Sequence, residues 1–284
     1  MIARKLKGIL SLFRPELSLA AGICLLTGQV LALGHFPTWP VALAGFLCAF
    51  MLSAAALILN DYFDYEVDLI NAPQRALPSG AVTPREALVL TALVSIIGLG
   101  CAASLGWQAL IISIVMWVVG ILYNWRYKQA GLAGNLMVSF SVGITFILGA
   151  IMVGQPWNGL VWVFTGIAFF VDLGEEIAGD AMDMAGDRER GSRSIALLRG
   201  RSFALRITLA CWIMVMLLGF IPFIFGWAGL AYLVLIVFMD GLILFFSRRL
   251  LRSTDAESGH AAMRGVYLGA TLGILAFLIS MISR

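Results

Sequence analysis

Charged residues make up only 12% of this 284-residue chain, against roughly 25% in soluble domains. Too little charge is present to cover a water-exposed surface, which excludes an ordinary soluble fold. The 4 cysteines, Cys24, Cys48, Cys101 and Cys211, are scattered through apolar segments without a CxxC pair. They read as small hydrophobes, and neither a disulfide framework nor a cysteine metal site is expected. Only 2 histidines occur; His35 and His260 read as loop residues facing solvent. Alternating strand patterns are missing, so a closed β-barrel is excluded. No nucleic-acid partner is expected.

What is present is apolar: 61% of residues are hydrophobic. Apolar stretches of about 20 residues recur along the chain, the length a bilayer demands of a helix. Nine such spans are expected, near 17–34, 41–60, 86–105, 107–125, 132–153, 159–177, 203–225, 228–247 and 262–282. The fold class is therefore all-α, a polytopic membrane protein with nine transmembrane helices bundled about a central cavity. Residues 1–284 read as a single domain. The N-terminal stretch MIARKLKGILSLFRPELS is basic and amphipathic. Arg14-Pro15-Glu16 interrupts the apolar core that a cleaved signal peptide needs, so this stretch reads as an interfacial helix.

Connections at 35–40, 105–107, 154–159 and around Gly226-Trp227 are nearly uncharged, and Trp39, Trp107, Trp157 and Trp227 sit in them. The connections at 61–85, 126–131, 178–202 and 248–264 carry the charge. Threading nine spans from a cytoplasmic N-terminus puts every one of the 19 Lys and Arg residues except Arg284 on the cytoplasmic side. The positive-inside rule and the aromatic belt agree on that orientation. A multi-pass protein of the cell membrane is expected, with its charged face in the cytoplasm.

Two acidic runs interrupt the apolar pattern. In LNDYFDYEVDLIN, Asn60, Asp64 and Asp68 step by four and form one helical stripe, with Asp61 one position round. In EEIAGDAMDMAGDRERGSRS, Glu176, Asp180, Asp183 and Asp187 step by 4, 3 and 4. Each run ends an inward-directed span, which suggests a pseudo-repeat of the motifs at 60–68 and 176–187. Acids at a helix C-terminus face the negative end of the dipole and repel one another. Divalent cations would reverse that cost. Carboxylates and an Asn carbonyl are the hard oxygen ligands of Mg²⁺, with Mn²⁺ as a substitute, and Mg²⁺ completes its shell with substrate phosphates. The expected metal ligands are Asn60, Asp61, Asp64, Asp68, Glu176, Asp180, Asp183 and Asp187.

Basic residues flank these runs. Arg75 lies in NAPQRALPSG, a turn marked by Pro73, Pro78 and Gly80. Lys128 ends YNWRYK, and Arg188, Arg190, Arg193, Arg199 and Arg201 follow the second run. Read singly, such residues obey topology; Arg75 and Lys128 could also reach phosphates. Asp172 and Asp240 fall within spans, where acids are functional candidates. Glu66, Glu86, Glu175 and Glu189 lie off the stripes and read as solvated. Gly143, Gly149, Gly166 and Gly174 thin the fifth and sixth spans, which would suit a wide lateral opening. A divalent-cation transporter would also use intramembrane acids, but transporters place them near the midplane.

NDYFDYEVD (60–68) resembles the NDxxDxxxD motif of the UbiA superfamily of intramembrane prenyltransferases, and DAMDMAGD (180–187) is similar to its second motif. INAPQRALPSG and YNWRYKQAGLAGN extend the resemblance, with Ala76 where Pro is common and Lys128 five residues after Tyr123 where four is usual. FRPELS keeps the family's Arg-Pro but has Ser18 for Asn. The resemblance implies transfer of an isoprenyl group from a prenyl diphosphate to a lipophilic acceptor within the bilayer. Asp64, Asp180, Arg75 and Lys128 would be catalytic. Asn60, Arg75, Tyr123, Lys128 and Asp183 would bind the diphosphate. Glu176-x-x-x-Asp180-x-x-Asp183-x-x-Gly186-Asp187 resembles the archaeal ether-lipid branch, which geranylgeranylates geranylgeranylglyceryl phosphate. Aromatic acceptors (4-hydroxybenzoate, naphthoate or chlorophyllide-like) remain the alternative.

Overall fold

The computed structural model describes residues 2–189 and 191–282; Arg190 and Arg284, which figure in the charge pattern above, lie outside them. Thirteen α-helices follow one another among the described residues: α1 (Ile2–Leu12), α2 (Pro15–Leu33), α3 (Trp39–Phe63), α4 (Tyr65–Asn71), α5 (Pro84–Ser104), α6 (Trp107–Leu122), α7 (Leu132–Met152), α8 (Gly159–Met182), α9 (Met184–Glu189), α10 (Ile195–Arg199), α11 (Arg201–Ile224), α12 (Leu230–Leu251) and α13 (Ala256–Ile282). A π-helical turn, Tyr123–Tyr127, prolongs α6. The nine of these with 16 or more residues coincide with the nine apolar stretches. Seven are long and apolar enough to cross a membrane. Of the other two, α8 carries Asp172, Glu175, Glu176 and Asp180, and α13 opens with Glu257, His260 and Arg264. The fold is that of an all-α, multi-pass membrane protein.

The chain divides into two compact units. The first comprises residues 1–125 and 145–156. In it α3 packs on α2 and α5, and α5 on α6. Helix–helix attraction within lipid depends on close backbone approach, since lipid tails offer the same apolar surroundings as Leu. Gly28 and Gly149 permit that approach: a Cβ at Gly28 would fall on the Phe146 carbonyl, and one at Gly149 on the Leu25 carbonyl. At the charged end, Leu12, Ile58, Leu77, Val82 and Ala87 form a buried cluster that fastens α1 and the 72–83 connection to α3 and α5.

The second unit comprises residues 126–144 and 157–284. Its core joins α8, α11, α12 and α13 around Trp212, which is 1% exposed and donates from its indole nitrogen to the Val171 carbonyl at 3.4 Å. Gly174 lies beneath that ring, where a Cβ would come within 2.8 Å of its carbon edge. Gly143 lies against the Thr165 carbonyl and Gly166 against Leu218. With Gly149 of α7 packed against α2, all four glycines expected to thin the wall toward an opening are instead sites of close helix contact. Small residues admit a neighbouring backbone or ring, so they tighten the packing there.

Of the acids expected to be solvated, Glu86 keeps a solvent-accessible side chain but has a structural role, and Glu175 departs from that reading. Glu86 closes a capping box at the start of α5: its carboxylate accepts from the Thr83 N–H at 3.0 Å, its own N–H donates to Thr83 Oγ1 at 3.3 Å, and Lys5 pairs with it. Glu175 is half-buried on α8. Replacing Glu86 by Ala should lower the unfolding temperature slightly, because the Thr83 N–H loses its partner while Thr83 still caps the helix. Turnover should stay within about twofold of wild type, checked by thermal unfolding alongside an initial-rate assay.

Candidate active site

In the first unit the acidic motif sits where a long helix breaks and restarts. α3 ends at Phe63, Asp64 takes φ −84° and ψ 0°, and α4 begins at Tyr65. The hydrogen-bond ladder survives the break: the Asp64 N–H donates to the Asn60 carbonyl at 3.0 Å, and the Asp68 N–H to the Asp64 carbonyl at 2.8 Å. Asn60, Asp64 and Asp68 thus keep the register expected for one stripe. The side chains buried here are Asp61 and Asp68, both 6% exposed and seven positions apart. A carboxylate so buried needs a cationic partner. Asp61 is paired with Arg14, and Asp68 accepts from Arg75 Nη1 at 2.7 Å. Burial alone would lower the pKa of Arg75, but its hydrogen bond to Asp68 and the charges of Asp68, Asp61 and Asp64 raise it above the ordinary value.

Arg14 is the residue that the sequence reading undervalued. It has φ 39° and ψ 70°, the one non-glycine positive φ among the described residues. A left-handed side-chain-bearing residue ahead of proline is a strained arrangement, and such strain concentrates at functional positions. Asn124 was also missed. The π-helical turn, a distortion common at functional sites, brings it inward. Its amide nitrogen donates to the Ala56 carbonyl at 3.1 Å and the Gly120 carbonyl at 3.0 Å, while its Oδ1 accepts from Asn60 Nδ2 at 2.9 Å. Asn60 is thereby oriented with its amide oxygen turned from Asn124. Tyr123, half-buried, opens the same turn.

The second unit repeats the device. α8 ends at Met182, Asp183 is the junction, and α9 follows. Again the ladder continues, Asp183 N–H to Gly179 carbonyl at 2.9 Å and Asp187 N–H to Asp183 carbonyl at 3.0 Å. Asp180 accepts from Asn135 Nδ2 at 2.9 Å, and Asp172 from the Ser139 hydroxyl at 2.8 Å. Glu176 is half-buried one turn above Asp180, and Asp187 is half-buried on α9. His260 is not the solvent-facing loop residue expected. It lies on α13, half-buried, with Nε2 3.2 Å from Asp183 Oδ1. The ends of α8 and α13 pack together, and sequence spacing across 77 residues could not reveal that pairing.

Lys128 follows the π-helical turn, on a loop tied to the stretch after the second motif. The Arg193 N–H donates to the Gln129 carbonyl at 3.1 Å, and Gly131, at φ 62°, has the Arg193 carbonyl where a Cβ would stand. Only glycine fits there. Arg201 is structural: it donates to the carbonyl and hydroxyl of Ser253, both at 2.9 Å, joining α11 to the end of α12. Arg188, Arg193 and Arg199 are exposed around the motif. Asp240 lies half-buried on α12, away from both motifs in the chain.

Among the described residues, no three His, Cys, Asp or Glu side chains converge as a ready-made metal site. The donors are nonetheless of the right kind. Both motifs offer carboxylate oxygens and the first adds the Asn60 amide oxygen, and Asn124 and Asn135 orient Asn60 and Asp180 in the way outer-shell partners orient ligands. An oxygen-only set suits Mg²⁺.

A multi-pass helical protein with two acid-bearing helix breaks and arginines paired to buried carboxylates is built to manage a polyanion at a membrane surface. The match to known proteins gives the class: the UbiA prenyltransferase family model covers residues 21–281. The chain belongs to that family. It is 33% identical over 278 residues to a digeranylgeranylglyceryl phosphate synthase of Thermococcus kodakarensis, covering 98% of this chain and 99% of that one. A solved structure concerning digeranylgeranylglyceryl phosphate synthase in membranes superposes with a TM-score of 0.84 at 27% identity, covering 99% of each chain. A UbiA homologue from Archaeoglobus fulgidus, bound to GPP and Mg²⁺, shares the fold with a TM-score of 0.67 at 17% identity, covering 98% of this chain and 100% of that one.

Proposed function

We propose that this protein transfers a geranylgeranyl group from geranylgeranyl diphosphate to geranylgeranylglyceryl phosphate, with Mg²⁺ as cofactor and residues 1–284 acting as one domain. The observation that carries this reading is the pair of helix breaks at Asp64 and Asp183, each with its acids in register, in a chain of this family whose similar relatives bear the synthase name. The Mg²⁺-bound homologue supports the cofactor.

Asn60, Asp61, Asp64 and Asp68, and Glu176, Asp180, Asp183 and Asp187, would hold Mg²⁺, which supplies charge neutralisation for a departing diphosphate. Arg75 and Lys128 bind phosphate oxygens directly, and Tyr123, five residues before Lys128, is a further donor. As the allylic C–O bond breaks, its electron pair moves onto the diphosphate, and these fixed cations stabilise the charge where it collects. Apolar helix faces exclude water from the allylic cation. The acceptor hydroxyl then bonds to the allylic carbon and gives up its proton to the departed diphosphate, the base the reaction itself releases. Asn124 and Asn135 are positioning residues, since each holds an amide or carboxylate in place. Acceptor choice is tested by competition: label should pass to geranylgeranylglyceryl phosphate and not to 4-hydroxybenzoate, and the reverse preference would place the protein with the aromatic-acceptor enzymes.

The N-terminus and the acidic motifs face the cytoplasm of a cell membrane in this reading. Trp39, Trp107 and Trp157 are 77%, 70% and 83% exposed, as an aromatic belt on the far side requires. Cysteines introduced at Gln155 and Ser192 should react with an impermeant maleimide from opposite sides of sealed vesicles. Reaction of both from one side would overturn the orientation.

A further inference from the structure

A cleft of about 490 Å³ opens in the first unit between α1 and the 74–81 connection. That volume suits a small ligand or headgroup. Four cations line it, Arg4, Lys7, Arg14 and Arg75, against one carboxylate, Asp61. Two of the four are already committed: Arg14 to Asp61 and Arg75 to Asp68. Arg4 and Lys7 make no ion pair among the described residues. Arg4 donates to the Ser79 carbonyl, a neutral partner that fixes the guanidinium at the cleft without cancelling its charge.

The placement is specific to the fold of α1. Arg4, Lys7, Gly8 and Ser11 step by 3, 1 and 3, so they share one helical face, and all four line the cleft. Gly8 lets that face lie close to the connection; a Cβ there would meet the Ala81 side chain at 3.0 Å. Leu12 is completely buried and pins the end of the helix. Leu6 and Leu10, on another side of α1, are 57% and 55% exposed. In an interfacial helix such leucines enter the lipid while the charged face stays at headgroup level. A phosphate carried on a lipid therefore reaches this cleft by lateral diffusion, and its apolar chains need not leave the bilayer.

We infer that Arg4 and Lys7 form the seat of the acceptor's phosphomonoester, with Arg14 behind them, beside Arg75 and Asp61, which line the same cleft and serve the donor diphosphate in the proposed reaction. This rests on the glyceryl phosphate acceptor proposed above. A phosphomonoester dianion is matched by two or three fixed cations, which is what the cleft supplies. Arg4 and Lys7 thus set specificity for a phosphorylated acceptor.

The test uses the full-length protein in detergent, with binding of labelled geranylgeranylglyceryl phosphate measured without donor, and initial rates measured separately. Arg4→Gln and Lys7→Gln should each weaken binding roughly tenfold, the size of one lost charge-assisted contact. Acceptor KM should rise likewise, with donor KM and kcat within about twofold. Geranylgeranylglycerol, lacking the phosphate, should bind wild type and variants equally weakly. Lys7 makes no hydrogen bond or ion pair among the described residues and its side chain is exposed, so the effect of Lys7→Gln is not a folding effect. Unchanged acceptor binding in both variants, or donor KM rising together with acceptor KM, would overturn the inference. So would equal competition by phosphatidylglycerol or inorganic phosphate, which would reduce the cleft to a general anion surface. Phosphate-dependent binding without any turnover in wild type would support the cleft and sink the proposed reaction. Turnover insensitive to both variants would do the opposite.

Discussion

Asp64→Ala and Asp180→Ala should each lower turnover by at least about a thousandfold, since each removes a proposed ligand of the charge-neutralising centre, a loss worth several kcal/mol in the transition state. The protein should remain folded. Asp64 is the residue at which α3 gives way to α4, yet the helical ladder there runs through backbone groups, Asp64 N–H to Asn60 and Asp68 N–H to Asp64. Alanine keeps both bonds. Among the described residues the Asp180 carboxylate accepts one hydrogen bond, from Asn135, so its removal disturbs one contact. Size-exclusion profiles and thermal unfolding should therefore match wild type while product formation falls to background. Retention of more than about a tenth of wild-type kcat in either variant would remove the acids from catalysis.

Arg14 should give the other large effect, and a mixed one. Its replacement by Ala leaves Asp61, only 6% exposed, without its cation. Breaking one side of a buried pair costs about 3–5 kcal/mol, so Arg14→Ala should unfold at a clearly lower temperature and lose turnover. Glycine at the same position removes the same charge but is at ease at φ 39°, a relief of about 1 kcal/mol. Arg14→Gly should thus be more stable than Arg14→Ala and equally inactive. Asp61→Asn combined with Arg14→Ala should recover much of the stability, because the orphaned charge is gone, and none of the activity. If Arg14→Ala and Arg14→Gly unfold alike, the backbone at this position carries no strain.

The helices and both acidic motifs were legible because their information is local. Twenty apolar residues between charges specify a span, and Asn60, Asp64 and Asp68 specify a stripe through their spacing alone. The partners were not legible, because each is brought in from afar by packing: Arg14 lies 47 positions from Asp61, Asn135 lies 45 from Asp180, and His260 lies 77 from Asp183. Nothing in YNWRYK announces a π-helical turn, so Asn124 looked like part of a helix end when it fixes Asn60. The breaks at Asp64 and Asp183 carry no proline, and only backbone dihedrals reveal them. The glycines misled for a related reason: composition shows where side chains are missing, while only the neighbouring helix shows that the space is filled.

The most direct measurement follows label from geranylgeranyl diphosphate into lipid, using wild-type protein in detergent with geranylgeranylglyceryl phosphate and Mg²⁺. The account predicts a labelled diether phosphate and stoichiometric diphosphate release. It also predicts that both vanish in EDTA and return when Mg²⁺ or Mn²⁺ is added. Undiminished transfer in EDTA, or no transfer to this acceptor while an aromatic acceptor is prenylated, would contradict it.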